Sequence, residues 1–323
     1  MKVVVTVPAY NEEANIGGVI KEIPRNIDGV DCVDVLVVDD GSTDSTVQTA
    51  EDAKADNIVC FKQNMGLSQA FKKGLETALE MDADIIVNID ADGQYNGREI
   101  PKLIKPILDD KADMVLGIRS IDELDHMPMQ KKIGNKIATF VTRFVSGFPV
   151  SDAQTGFRAF SREAALKLNI LSEHTYVQET IIQAVNKGLK IVEVPIEFRR
   201  RDGRSRLISN IFGYAAGAGM TIIRTYRDHK PLKVFIIIGG FIFIIGFLFG
   251  IGILIEFIKT GFVPRKPLAI LSSILMIIGF QVIIFGLLAD MLDSQRKLIE
   301  EILYKEKKHE IKEMKLEKEA EKK

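Results

Sequence analysis

The chain has 323 residues, enough for one large domain with additions, and its 43 basic and 44 acidic residues leave a formal net charge of −1. That balance removes any global electrostatic case for a nucleic-acid partner. Two cysteines and four scattered histidines supply neither a disulfide framework nor zinc-ligand spacing; Cys32 and Cys60 lie in apolar strand-like runs and read as buried small hydrophobes in a reducing compartment.

The opening run to Val7 is too short for a signal peptide and reads as a first strand, broken by Pro8. Ile16, Val19, Ile20 and Ile23 recur at i, i+3, i+4 and i+7, which predicts an amphipathic helix with Asn11 as its N-cap and Glu12 and Glu13 in its first turn. A second strand over 33–38 ends at Asp39 and Asp40, and Gly41-Ser42-Thr43-Asp44 gives a turn into a capped helix. A short third strand over 58–61 leads through Asn64-Met65-Gly66 to a helix over 67–80, whose N-terminus points towards the strand ends.

Ile85-Ile86-Val87-Asn88-Ile89-Asp90-Ala91-Asp92-Gly93-Gln94 is a β-branched run closed by two carboxylates and an amide. The apolar part predicts a strand buried on both faces. In open α/β sheets the ligand crevice lies at the carboxyl ends of the strands, where this run places its charges. Two carboxylates and an amide oxygen suit a hard divalent cation, Mg²⁺ or Mn²⁺, that holds a diphosphate and absorbs charge as it departs. Asp and Gly also follow strands for turn chemistry alone, so the metal reading rests on its neighbours.

Residues 114–118 form a further strand ending at Arg119, and 122–130 lack periodicity and read as a loop. The helix that follows carries Lys131, Lys132 and Lys136 in its first turns, the unfavourable end for cations unless an anion binds there. Residues 152–160 read as a turn and a strand, 176–187 as a helix and 189–195 as the last strand. Strand and helix patterns alternate throughout, which predicts an α/β fold with a doubly wound, mostly parallel sheet.

Residues 199–206 hold five arginines in eight positions, directly ahead of a largely apolar stretch over 207–223. The pairing suits a phosphate and membrane-surface site followed by a helix lying in the interface. Mean hydropathy is only +0.10, yet residues 234–255 and 268–289 are each 22 residues without a charge. Both exceed the ~18–20 residues needed to cross a bilayer, and neither shows the polar stripe of a buried core helix. Arg224, Arg227, Lys230 and Lys233 precede the first span and Arg296, Lys297, Lys305, Lys307 and Lys308 follow the second, against three basic residues in the linking loop. The bias places both termini in the cytoplasm, in a multi-pass protein of the cell membrane. The tail alternates charge and reads as a partly disordered helix, with Leu298, Ile302 and Ile311 too sparse for a coiled coil.

Six motifs stand in one order: Val7-Pro8-Ala9-Tyr10-Asn11-Glu12, Val37-Val38-Asp39-Asp40-Gly41-Ser42-Thr43-Asp44, Asn64-Met65-Gly66, Asp90-Ala91-Asp92-Gly93-Gln94, Gln154-Thr155-Gly156-Phe157 and Arg200-Arg201-Asp202-Gly203-Arg204-Ser205. Together with the two apolar spans, this order resembles the family 2 glycosyltransferases of GT-A fold, in the branch that makes dolichyl- and polyprenyl-phosphate sugars. The resemblance implies a GT-A domain over 1–207, an interfacial helix region over 208–233, transmembrane helices over 234–255 and 268–289, and a charged cytoplasmic tail over 290–323. It implies that Pro8, Tyr10, Glu12, Val38 and Asp40 hold the nucleobase and ribose, that Asp90 and Ala91 contact the nucleotide, and that Asp92 and Gln94 ligate Mg²⁺ or Mn²⁺ on the diphosphate. Arg119, Lys131 and Arg200 stand where the family places basic groups for an acceptor phosphate. Lys131 replaces an arginine and Asn135 a serine of some members. The implied partners are a UDP- or GDP-hexose, a polyprenyl or dolichyl phosphate and the membrane. Oligomeric state stays open: the small residues over 215–219 and Gly239, Gly240 and Gly246 would permit the close helix contacts of a homo-oligomer.

The chemistry has its own logic. A hydroxyl acceptor needs a general base, whereas a lipid monophosphate is already ionised near neutral pH. The protein must then gather two anions and neutralise the leaving diphosphate, consistent with direct inverting displacement at the anomeric carbon. Glu179 and His174 are accordingly read as structural. Two other readings stand beside this one, a family 2 transferase acting on a hydroxyl acceptor and a catalytically dead scaffold. A processive synthase would carry a Gln-x-x-Arg-Trp motif, and the chain has no tryptophan; joint retention of Asp40, Asp90, Asp92 and Gln94 speaks against the scaffold.

Overall fold

The computed structural model describes residues 1–119, 129–171, 176–199, 231–263 and 265–321. These fall into two compact units, one within residues 1–218 and 303–323 and the other within 219–302.

The first unit is built on a seven-stranded sheet. Its strands are β1 (Lys2–Ala9), β2 (Cys32–Asp39), β3 (Asn57–Cys60), β4 (Ile85–Asn88), β5 (Met114–Ile118), β6 (Arg158–Ser161) and β7 (Ile191–Pro195), in the spatial order β3-β2-β1-β4-β6-β5-β7. β1 pairs parallel with both β2 and β4, so the chain reverses its winding direction between β1 and β4, the point where α/β sheets open a crevice. β6 runs antiparallel to β4 and β5.

The apolar runs are continuous because both faces are covered. Val3, Val5 and Val7 join one core cluster under α1 (Ile16–Glu22), α2 (Thr46–Asp52) and α4 (Ile100–Leu108). Val4, Leu36 and Val38 join the other, under α3 (Leu67–Glu80), α6 (Arg162–Lys167) and α7 (Val177–Asn186). α5 (Met129–Ser146) completes the helices of this part of the chain.

The second unit holds α8 (Pro231–Thr260) and the first part of α9 (Lys266–Glu321), which contain the two expected spans. Their contact is made by small residues. A Cβ on Gly239 would lie 2.7 Å from the Gly279 carbonyl oxygen, and the Ser272 hydroxyl donates to Gly246 O at 2.7 Å. Gly239 and Gly246, offered above as oligomer contacts, are thus occupied within the chain.

Several local expectations need correcting. Cys32 and Cys60 are exposed, because Cys32 opens β2 and Cys60 closes the edge strand β3. Asn11 does not cap α1, which begins after Asn15; it adopts φ +53° and its side-chain oxygen accepts from Thr43 N at 2.8 Å. Glu13 likewise serves the neighbouring turn, accepting from Ser45 N at 2.9 Å. The tail is helical to Glu321, as far as it is described. The expected loop over 122–130 lies outside the described residues up to 128, and 129–130 already belong to α5; the arginine run from Arg200, His174 and the interfacial helix region before Pro231 are outside them altogether.

Candidate active site

Two turns, after β1 and after β2, close one side of the crevice. Asp40 follows β2 directly, with both carboxylate oxygens turned to the loop before α3, accepting from Met65 N at 2.7 Å and Gly66 N at 2.9 Å. Burial raises its pKa above the ordinary carboxylate value, against these two bonds. Gly41 has φ +73°, and a Cβ there would lie 2.5 Å from the Gln63 carbonyl carbon, so this turn requires glycine. The β1 turn is knitted to the β2 turn by Asn11 N donating to Ser42 Oγ and Glu12 N to Thr46 Oγ1, each at 2.9 Å.

Asp90, Ala91, Asp92 and Gln94 follow β4 directly. Asp90 packs down upon Gly156, where a Cβ would meet its carboxylate oxygens at 2.6 and 2.7 Å. The glycine of the Gln-Thr-Gly-Phe motif is therefore a packing requirement of the first aspartate. Asn88 fixes the same junction, donating to Gly156 O at 2.9 Å and to the Tyr176 hydroxyl at 3.0 Å. Asp92 Oδ1 accepts from Gln94 N at 3.1 Å, and Gly93 takes φ +73° in that turn.

Gln94 is joined to the segment that leads into the arginine run. Arg199 N donates to Gln94 O at 2.8 Å, and Gln94 Nε2 donates to Arg199 O at 3.3 Å. The Arg199 guanidinium is engaged elsewhere, its Nη1 donating to both carboxylate oxygens of Glu22 at 2.8 and 3.0 Å. One residue earlier, Phe198 packs edge-on to Tyr95 with centroids 5.2 Å apart, and the Arg119 guanidinium lies 5.0 Å over the Phe198 ring. Arg119 is held by Asp152 through Nε to Oδ2 at 2.6 Å and Nη2 to Oδ1 at 3.0 Å, with side chains only 8% and 1% exposed. Tyr95 accepts from Gly156 N at 2.9 Å, and burial pushes its hydroxyl up to about 12.

The structure therefore brings Asp92, Gln94, Tyr95, Phe198, Arg119 and Asp152 into one connected set. Among the nucleotide-side residues, Tyr10 is exposed and Glu12 half-buried, while Pro8, Val38, Asp40 and Ala91 are buried. Lys131 lies in the first turn of α5 with its side chain outside the described residues, and Arg200 is outside them. Glu179 accepts from Leu171 N and Gln183 Nε2 at 3.1 Å each. Sequence reading missed Asp152, Tyr95 and the buried Arg158, which donates to Thr155 O at 2.8 Å and Val177 O at 2.6 Å and ties β6 to α7. Only Asp152 carried a signal, a lone carboxylate just before the Gln-Thr-Gly-Phe motif.

No cluster of three or more His, Cys, Asp or Glu that could cage a metal occurs among the described residues. The donor set still suits Mg²⁺ or Mn²⁺, which keep waters and bind through one or two carboxylates plus substrate phosphates.

The family model of glycosyl transferase family 2 matches residues 4–168, and that of the glycosyltransferase family 2 C-terminal transmembrane region matches 207–293. The chain belongs to glycosyl transferase family 2, and is a glycosyltransferase with the membrane region characteristic of that family. It is 36% identical over 215 residues to the UDP-N-acetylglucosamine–dolichyl-phosphate N-acetylglucosaminyltransferase of Methanococcus voltae, covering 59% of this chain and 83% of that one. It is 31% identical over 227 residues to the dolichyl-phosphate hexose transferase of Haloferax volcanii, covering 70% and 94%. Glucosyl-3-phosphoglycerate synthase from Mycobacterium tuberculosis, solved with Mn²⁺, UDP-glucose and phosphoglyceric acid, shares the fold at a TM-score of 0.55, with 22% identity over 71% of this chain and 79% of that one.

Proposed function

We propose that the protein transfers a sugar from a nucleoside-diphosphate donor to the phosphate of a polyprenyl lipid at the membrane surface, with direct inversion at the anomeric carbon. The observation that carries this reading is the connected set from Asp92 through Gln94 and Phe198 to Arg119, which joins the diphosphate side of the crevice to the segment leading into the arginine run. The relatives from M. voltae and H. volcanii, whose names specify dolichyl phosphate, support the acceptor class.

Tyr10, Glu12 and the amides ordered by Asp40 bound the donor side; Asp90 and Ala91 line the nucleotide, and Pro8 and Val38 back it. Asp92 and Gln94 would hold a divalent cation, which supplies charge neutralisation for the departing diphosphate. Arg119, set by Asp152 with its Nη1 edge outside that pair, together with Lys131 and Arg200, would gather the acceptor phosphate. An ionised phosphate oxygen attacks without a base, which agrees with Glu179 being bound into the fold.

The surface of α5 favours a lipid acceptor. Ile133, Ile137, Phe140 and Phe144 form one exposed stripe, with Phe140 69% and Phe144 61% exposed. Lys132, Lys136 and Arg143 flank it, and the helix has no acidic residue. An apolar stripe with basic flanks suits an anionic bilayer surface. The basic residues flanking the spans support a cytoplasmic catalytic unit and C-terminus. Titrating the full-length protein with UDP and GDP, with and without Mn²⁺, tests the donor site. Metal-dependent binding of one of them, lost in Asp92→Asn, is expected; no nucleotide binding with either would support the scaffold reading.

A further inference from the structure

Residues 294–321 continue α9 beyond both family matches. From Leu303 onward they count with the first unit. In this stretch the half-buried positions are Tyr304, Lys307, Ile311 and Met314, at i, i+3, i+7 and i+10, one face of a helix. That face meets the transferase unit. Tyr304 and Ile311 pack against the core cluster under α3, α6 and α7. The Tyr304 hydroxyl donates to Glu163 at 3.0 Å, Lys307 Nζ donates to Asn169 Oδ1 at 2.8 Å and Leu168 O at 3.3 Å, and Lys315 Nζ donates to Asp82 Oδ2 at 2.6 Å.

The seat has matching charge. A cavity of about 520 Å³ is lined by Asp31, Asp82 and Asp84 together with Lys2 and Arg162 of the seat, and by Lys308, Lys312 and Lys315 of the segment, so that Asp82 is shared between Arg162 and Lys315. Lys307 serves the carbonyl that ends α6, the favoured place for a cation on a helix C-terminus. Asp82 and Asp84 precede β4, at the end of the sheet opposite Asp92. The contact is therefore separate from the active site.

We propose that the transferase unit carries, at the N-terminal end of its central strands and over α6, a docking surface for a cationic amphipathic helix, and that its occupant is the chain's own segment 303–317. The segment is a strap, held by one apolar ridge and a row of lysine and tyrosine hydrogen bonds. Its hold depends on charge, because a single ridge of Tyr304, Ile311 and Met314 is too narrow for a coiled-coil seam. Each exposed pair contributes little alone, so release requires losing several.

Hydrogen–deuterium exchange on the full chain in lipid nanodiscs tests this. Lys307→Glu combined with Lys315→Glu is expected to speed exchange of 303–317 roughly five-fold or more, with a parallel rise over 165–171. The swap Lys315→Glu with Asp82→Lys should return protection towards wild type, relative to Lys315→Glu alone. Tyr304→Phe, which keeps the ridge but loses the Glu163 bonds, should give a smaller rise. Equal exchange in wild type and the double lysine variant, or a swap that adds to the loss, would overturn the strap.

Discussion

Asp152→Asn probes the buried pair with Arg119 on which the proposed acceptor site depends. Arg119 and Asp152 are bidentate, with the two side chains 8% and 1% exposed, and the arginine is also stacked on Phe198. Removing one partner of a buried ion pair costs about 3–5 kcal/mol, because the other charge stays behind uncompensated. Asparagine keeps one acceptor oxygen and the shape, and Phe198 still faces the cation, so the lower end, about 3 kcal/mol, is expected. For a domain of this size that is a fall of about 6–12 °C in Tm. Circular dichroism melts of the detergent-solubilised full chain measure it. Arg119→Met with Asp152→Leu should recover most of the loss, since an apolar pair of similar volume carries no stranded charge. A Tm within about 2 °C of wild type for Asp152→Asn would refute the reasoning.

Gly156→Ala forces a Cβ onto the Asp90 carboxylate at 2.6 Å. It should cost about 1–3 kcal/mol of stability and, by displacing the Asp90–Asp92 turn, lower kcat/KM about 100-fold in a donor-transfer assay. Phe140→Glu with Phe144→Glu should raise KM for a lipid phosphate at least roughly ten-fold while nucleotide binding is unchanged, since each Phe buries about 1.5–3 kcal/mol of apolar surface. The Lys315 hydrogen bond, helped by Arg162, holds the Asp82 carboxyl below its ordinary value. A depressed carboxylate stabilises above its unfolded pKa and loses that contribution as pH falls through the folded one. The difference in tail protection between wild type and Lys315→Met should therefore shrink as pH drops below the ordinary Asp range, read by exchange corrected for intrinsic rate.

Much of this architecture was legible because periodicity is local. The helix over 67–80 and the strand over 114–118 are where the pattern puts them, and the charged end of β4 marks the crevice. α4 is legible too, with Ile100, Leu103, Ile104 and Ile107 at helical spacing. Strand direction was not. β6 carries no mark that it runs antiparallel between β4 and β5, since direction is set by pairing with residues more than forty positions away. The Arg119–Asp152 pair spans 33 residues and has no periodic trace. The role of Gly156 needed the coordinates of Asp90, although the motif containing it was already in view. The tail's apolar residues are sparse, yet Tyr304 and its lysines find a seat that composition alone does not announce.

The most direct measurement supplies the purified protein in nanodiscs with a panel of labelled nucleotide sugars and, in separate arms, a polyprenyl phosphate or the matching free polyprenol. Label should enter an acid-labile lipid only with the phosphate, and Asp92→Ala should abolish it in the presence of Mn²⁺. Equal labelling of the free alcohol, or full turnover by Asp92→Ala, would contradict the account.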